Sequence, residues 1–364
     1  MKKIFLCVTT NLNYDQRMRR ICTSLHGAGY RVTLVGRLTE ASPQLAPADY
    51  QQVRLNCWAR KGKLMYLEYN TRLFLYLLFQ KPDLVTAIDL DTIIPCYVIS
   101  RIRNIPRVYD AHEWFSELKE VVTRPGVRRI WLAIERYFVP RFPLGYTVSQ
   151  SIADAFKKLY NVDYELIMNA PLLAPPGNTT TSDGPKFFLY QGAVNEGRGL
   201  EWLIPAMKSV KAPLWICGEG NFSTECRKLI QRHGLEQKVI MKGNILPTEL
   251  THITSKAYAG INLVEPVGMN QVYSLTNKYF DYIHAGIPQI TMAFPEYERL
   301  NRKFPTAILL HTLDQELIAR EMNNLLENEV LYATLKNNCS RAASELNWNN
   351  EEGRLTRFYM RIFR

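Results

Sequence analysis

The chain has 364 residues, 47% of them hydrophobic and 22% charged, with seven cysteines and a formal net charge of +11. That balance suits two globular domains with sizeable cores and excludes a disordered or fibrous chain. The odd, unpatterned cysteines show neither zinc spacing nor a disulfide framework and suit a reducing, cytoplasmic setting, and no apolar run reaches the roughly 18 residues that a membrane span needs.

In chain order, "KIFLCVT" (3–9) reads as a first strand and not as a secretory leader, since it has no small-residue cleavage site. "RVTLVG" (31–36), "DLVTAI" (83–88), "PRVYD" (106–110) and "GYTVS" (145–149) are the next strands, with helical patterns between them. Residues 169–186, "NAPLLAPPGNTTTSDGPK", form the best linker in the chain. Beyond it the alternation restarts with "FFLYQG" (187–192), "PLWICG" (213–218), "KVIMKG" (238–243), "YAGINLV" (258–264), "PQITMA" (288–293) and "TAILL" (306–310). Apolar strands separated by helices imply parallel sheets covered on both faces. Two such α/β domains are expected to bind ligands in a cleft at the carboxyl ends of their strands. The expected boundaries are 1–170 and 171–345, with a C-terminal helix at 346–364 that can pack back on the first domain.

The charge is uneven. Residues 1–170 hold 24 Lys and Arg against 15 Asp and Glu, or +9, while the remainder carries +2. The first half is therefore expected to face an anion, such as phosphate, anionic lipid or nucleic acid, or else to carry a generally basic, solvated surface. Two amphipathic basic stretches, 127–142 and 349–364, fit either a membrane surface or packing against a domain, with packing as the default.

Several motifs follow strands. In "YQGAVNEGRGL" (190–200), Gly192, Gly197 and Gly199 allow close backbone approach and Arg198 adds a cation. The combination makes an anion site, or else a plain turn with a surface arginine. "CGEGN" (217–221) places Gly218, Glu219 and Gly220 in a tight turn; Thr224 occupies the next slot, so no G-x-G-x-x-G dinucleotide fingerprint is formed. "YDAHEWFSE" (109–117) puts His112 and Glu113 just past a strand end. That position suits ligand contact or a structural hydrogen bond. Asp89 and Asp91 in "IDLDT" are expected near the ligand rather than on a metal, since no further metal-ligand set lies nearby.

In "NLNYDQRMRR" (11–20), Asn13 and Tyr14 are candidates for a polar ligand and Asp15 favours a helix start, while Arg17, Arg19 and Arg20 are either a binding cluster or a solvated face. Finally, "SLTNKYFDYIHAGIP" (274–288) begins a helix that Ser274 or Thr276 can cap and that Gly286 ends. Its first turns hold Asn277, Lys278 and Asp281, which a helix built only for packing does not need.

Together these motifs resemble those of the GT-B-fold glycosyltransferases of family 4, the group 1 family, over nearly the whole chain and most strongly over 186–292. The family pattern G-R-x-x-x-x-K-G appears as "GAVNEGRG", with Ala193 in place of the arginine and Arg198 in place of the lysine. Of the family's E-x7-E acids, the second aligns with Asp281 and the first with Tyr273. The resemblance implies a GT-B-like α/β fold of two Rossmann-like domains facing each other across a cleft. It implies a nucleotide-sugar donor in the second domain and a glycan or lipid-linked acceptor in the first. It implies retention of anomeric configuration, with polysaccharide biosynthesis as the setting. His112, Arg198 and Lys278 become the catalytic candidates.

The donor candidates are Gly192, Gly197, Gly199, Gly218, Glu219, Gly220, Tyr273, Ser274, Asn277 and Asp281. Asn13, Tyr14, Asp15 and Glu113 fall on the acceptor side. No cofactor and no metal is expected, because Arg198, Lys278 and helix N-termini can neutralise a diphosphate. The enzyme is expected in the cytoplasm, peripheral on the inner membrane face, and not on nucleic acid, for which only charge speaks. A nucleotide-sugar 2-epimerase and a non-catalytic glycosyltransferase-like subunit are the alternatives.

Overall fold

A computed structural model describes residues 1–13, 15–38, 42, 44–173 and 184–364. The chain forms two compact units. The first comprises Met1–Asn169, Gly268–Asn270 and Trp348–Arg364, and the second Ala170–Val267 and Gln271–Asn347. Most of the expected linker, and Tyr14, lie outside the described residues.

The first unit is built on seven strands: β1 (Lys3–Cys7), β2 (Arg31–Leu38), β3 (Gln51–Asn56), β4 (Leu84–Ile88), β5 (Arg107–Ala111), β6 (Leu144–Thr147) and β7 (Glu165–Leu166). They pair in parallel in the order β3-β2-β1-β4-β5-β6-β7. Side chains alternate between the two faces. Ile4, Leu6, Leu84 and Tyr146 pack with Leu25 of the helix Gln16–Gly27 and with Trp348 and Leu355 of the helix Trp348–Ile362. Phe5 faces the other way, toward Tyr76 of the helix Gly62–Phe79. Two edge strands were not foreseen. β3 reads "QQVRLN" and is half-buried, and β7 spans two residues, so neither shows the apolar run that marks an interior strand.

The second unit holds β8 (Phe188–Gln191), β9 (Leu214–Cys217), β10 (Val239–Gly243), β11 (Ala259–Asn262), β12 (Gln289–Met292) and β13 (Ala307–Leu310). These are parallel in the order β10-β9-β8-β11-β12-β13. In each unit the strand order reverses once, between β1 and β4 and between β8 and β11. Such switch points open a crevice outside the carboxyl ends of the strands, where ligands of α/β sheets bind. The motifs at Asn11–Asp15, Asp89, His112, Gly192 and Gly218 all follow strands near these points.

The two basic amphipathic stretches behave differently. The helix Trp348–Ile362 packs as expected, with Leu355, Phe358 and Tyr359 buried and Tyr359 hydrogen-bonded to Thr86 at 2.9 Å. The stretch 127–142 packs in part: Trp131 lies against Phe115 at 4.6 Å, Phe138 against Tyr97 at 5.3 Å, and Glu135, Val139 and Phe142 are buried, while Ile130 and Tyr137 stay exposed.

Candidate functional site

The strand-end turns of the second unit interlock. Gly192 has φ 111° and Gly218 φ 145°, conformations that favour glycine. A Cβ on Gly218 would overlap the carbonyl oxygen of Gly192. The backbone amide of Gly192 donates to Cys217 at 2.9 Å and that of Gly218 to Gly243 at 2.7 Å, which steps the three turns against one another. Gly220 packs as closely against Val194, and Asn195 and Asn221 accept from each other's loops at 3.1 Å. Gly197 and Gly199 flank Arg198 in left-handed conformations and lead into the short helix Leu200–Ala206. Glu219 is less available than its position suggests. Its carboxylate takes a hydrogen bond from Ser223 and an ion pair from Arg227 at 2.7 Å, which together lower its pKa.

Lys278 is the most informative residue of this unit. It is 8% exposed, its Nζ lies 3.8 Å from the ring centre of Tyr190, and it has no hydrogen-bond partner. Burial, and then the nearby Arg198, hold its ammonium well below the ordinary lysine range, with Asp281 opposing them. Arg198 forms no hydrogen bond or ion pair among the described residues. Two cations thus lie beside the Gly192 turn without an anionic oxygen in hydrogen-bond reach of either.

The helix carrying Lys278 runs Asn277–His284. Thr276 stands at its N-cap, but its hydroxyl donates to Asn262 Oδ1 at 2.9 Å and accepts from Tyr297. Neither Thr276 nor Ser274 therefore caps the helix, and its start carries no side-chain cap. Asn277 is exposed at this start, and Ser274 and Tyr273 are half-buried just before it. Asp281, one turn on, accepts from Gln191 Nε2 at 2.9 Å, and Gln191 in turn accepts from Thr254 at 2.7 Å. Gln191 and Tyr190, which position Asp281 and Lys278, were not among the sequence candidates. The signal available was a polar side chain at the last position of an otherwise apolar strand.

In the first unit His112 and Glu113 follow β5. The imidazole is half-buried, and burial followed by Arg17 and Arg20 lowers its pKa to about 3, so it is neutral at pH 7. Its Nδ1 lies 3.8 Å from Asp89 Oδ2. Asp89 has φ 58° and ψ 174°, a region otherwise almost confined to glycine. It is held there by its amide, which donates to Asp110 at 2.9 Å, and by Oδ1, which accepts from the amide of Glu113 at 2.8 Å. Burial and then Glu113 push the Asp89 carboxyl well up, and burial raises Asp91 to about 7 although Thr9 donates to it at 2.5 Å.

Arg17 is no part of a solvated face. It is 3% exposed and paired with the fully buried Asp110 at 2.7 Å. Asp15 caps the helix Gln16–Gly27 by accepting from Met18 at 3.0 Å and also accepts from Thr10. Asn13 braces residues 44–46 through Gln44 and Ala46.

Two doubly wound units, one with a cationic turn at its switch point, form the kind of α/β architecture that binds ligands outside the carboxyl ends of its strands. Two family models match the chain in tandem, Glycosyltransferase Family 4 over residues 16–170 and Glycosyl transferases group 1 over 177–345. The chain belongs to this family of GT-B-fold glycosyltransferases, enzymes that transfer sugar from a nucleotide-sugar donor. No curated protein sequence matches it. Among solved structures, sucrose-phosphate synthase from Thermosynechococcus elongatus superposes with a TM-score of 0.83 at 17% identity, covering 100% of this chain and 99% of that one. HepE from Anabaena, in complex with UDP and glucose, gives 0.74 at 14% identity over 99% and 100%. WaaG, a glycosyltransferase involved in lipopolysaccharide biosynthesis, gives 0.72 at 14% over 97% and 98%. At such identities the likeness speaks for the fold.

Proposed function

We propose that the chain is a retaining, metal-independent glycosyltransferase that moves a sugar from a nucleoside diphosphate sugar to a hydroxyl of a glycan or lipid-linked acceptor in cell-surface polysaccharide synthesis. It works in the cytoplasm, peripheral to the membrane that presents such acceptors. One observation carries this reading: the buried Lys278 ammonium beside Arg198, with no anionic partner. A buried unpaired cation is costly, and a diphosphate is the ligand that relieves it.

As the bond from the anomeric carbon to the β-phosphate oxygen breaks, negative charge grows on that oxygen. Lys278, Arg198 and the uncapped start of the helix Asn277–His284 stabilise it. The acceptor oxygen bonds to the same face of the anomeric carbon, and its proton passes to the departing phosphate oxygen. His112, neutral, orients a sugar hydroxyl by hydrogen bonding and does not supply charge. Asp281, aimed by Gln191, accepts from the ribose hydroxyls.

HepE was crystallised with UDP, so UDP is the first probe, followed by GDP, ADP and their sugars. At 100 times its dissociation constant a nucleotide stabilises the protein by about 2.7 kcal/mol. A thermal shift with one nucleoside diphosphate, retained in EDTA, is expected, together with sugar transfer that persists in EDTA. Loss of both in EDTA, restored by magnesium or manganese, overturns the metal-independent assignment. No shift with any nucleotide overturns the diphosphate reading, and an epimerised sugar from donor alone overturns transfer.

A further inference from the structure

We propose that the outer face of three neighbouring helices of the first unit, Gly62–Phe79, Ile93–Arg103 and Pro125–Phe138, docks on an anionic lipid bilayer. The three form one layer. Tyr66 meets Trp131 at 5.2 Å, Tyr97 meets Phe138 at 5.3 Å, and Arg103 donates to the Leu78 carbonyl at 2.6 Å.

The helix Gly62–Phe79 shows how the layer is made. Met65, Tyr69, Leu73 and Leu77 recur every four residues and are buried. Such a helix needs a polar outer stripe. Instead its outer side presents Leu64, Leu67, Leu75 and Phe79, with Leu67 67% and Phe79 81% exposed. Ile102 on the second helix and Ile130, 63% exposed, and Tyr137 on the third are exposed apolar side chains as well. Single exposed apolar residues are ordinary, but their concentration on three adjacent helices points to an interaction surface.

Charge identifies the occupant. Lys63, Arg101, Arg129 and Arg136 are exposed among these apolar side chains. The only acids on the three helices are Glu68, paired with Arg72 at 2.8 Å, and Glu135, buried and bonded to the Trp114 indole at 3.1 Å. Apolar side chains interleaved with unopposed cations fit an interface where hydrocarbon lies beneath negative headgroups. A protein groove that receives one helix reads one apolar stripe, whereas here the stripe extends over three. Among the described residues no helix is long and apolar enough to cross a membrane, so the contact is with the surface.

The test is co-sedimentation with vesicles of phosphatidylcholine, with and without phosphatidylglycerol, using the full chain. Wild type is expected to pellet with the anionic vesicles and to be released by salt. The double variant Arg129→Gln with Arg136→Gln is expected to bind about 25-fold more weakly, at roughly fivefold per basic residue near the surface. Leu67→Ser with Phe79→Ser is expected to lose binding while keeping its melting temperature, because both positions are exposed. Arg357→Gln, on the helix packed against the opposite sheet face, is expected to bind as wild type. Failure of wild type to pellet, equal binding to neutral vesicles, or equal loss in Arg357→Gln overturns the proposal. So does a dimer in solution that the Leu67 and Phe79 variants dissociate, since the face then serves a second copy. None of these readouts depends on nucleotide binding.

Discussion

At the strand ends of the first unit, charged groups answer one another. Arg17 meets Asp110, Asp89 takes the amide of Glu113, and Asp91 takes the hydroxyl of Thr9. At the strand ends of the second, Lys278 and Arg198 lie together without a hydrogen-bonded anion, and Asp281 opposes their effect only from a distance. Burying a charge without a partner costs several kcal/mol. The first cluster avoids that cost with ion pairs, with a neutral His112 and with carboxyls whose raised pKa values favour the protonated form. In the second, burial and Arg198 disfavour the charged form of Lys278, which an anionic ligand would restore. Under the proposed function, the self-compensated groups suit a neutral acceptor and the uncompensated pair suits an anion.

The strongest way to break this contrast is Lys278→Met, which keeps length and packing but removes the charge. UDP affinity is expected to fall about 10- to 150-fold, the equivalent of roughly 1.5–3 kcal/mol for a charged hydrogen bond. The melting temperature without ligand is expected to rise, because a desolvated ammonium no longer has to be buried. Titration calorimetry and a melt on the same sample decide it. An early melt with unchanged affinity would make Lys278 a structural residue.

Asp281 sharpens the contrast within the proposed donor site. Asp281→Ala is expected to weaken UDP binding about tenfold or more, and Asp281→Asn less, since the amide keeps one acceptor oxygen. The 2′,3′-dideoxy nucleotide separates two roles. If wild type binds it as tightly as the normal nucleotide, Asp281 only pairs with Gln191 and the ribose assignment fails.

The pH dependence of stability distinguishes groups of opposite sign in the first unit. His112 is lowered to about 3 from 6.5, so its contribution is complete above about pH 6.5 and is lost as pH falls toward 3. Asp91 is raised from 3.8 to about 7, so its contribution is complete below 3.8 and is lost as pH rises through 7. His112→Gln is therefore expected to flatten the fall in melting temperature below about pH 6.5. Asp91→Asn is expected to gain on wild type as pH rises from about 3.8 to about 7. Parallel curves for variants and wild type would show that neither group is shifted.

The smallest effect is expected at Asp89. Glycine accepts φ 58° and ψ 174° without strain, and an aspartate there costs roughly 1–3 kcal/mol. Asp89→Gly also loses the bond to the Glu113 amide, worth roughly 1 kcal/mol. A slight rise in melting temperature with reduced transfer is expected. A clear fall would show that the carboxylate holds the loop rather than serving the reaction.

Much of the architecture was legible because it rests on local chemistry. Short apolar runs alternating with helical patterns specify parallel α/β units, and most interior strands lie within a residue or two of their expected bounds. The half-polar edge strand Gln51–Asn56 was hidden because an edge needs no continuous apolar run. The Gly192–Gly199 turn and the polar start of the helix Asn277–His284 were visible as motifs. Their meaning was not, because Lys278 acquires its character from Tyr190 and Arg198, both far away in sequence.

The two basic amphipathic helices mark the boundary between sequence and tertiary structure. Residues 127–142 and 349–364 share one pattern, and from sequence alone they are equivalent. Trp348–Ile362 is buried because the sheet face beside Gln16–Gly27 still had apolar surface to cover, which Leu355, Phe358 and Tyr359 fill. Pro125–Phe138 meets its neighbours through Trp131, Glu135 and Phe138, and Ile130 and Tyr137 remain in water. Periodicity determines which residues share a helix face. Whether that face is covered, and whether a buried charge finds a partner, depends on surfaces contributed by distant segments, and those only the tertiary structure supplies.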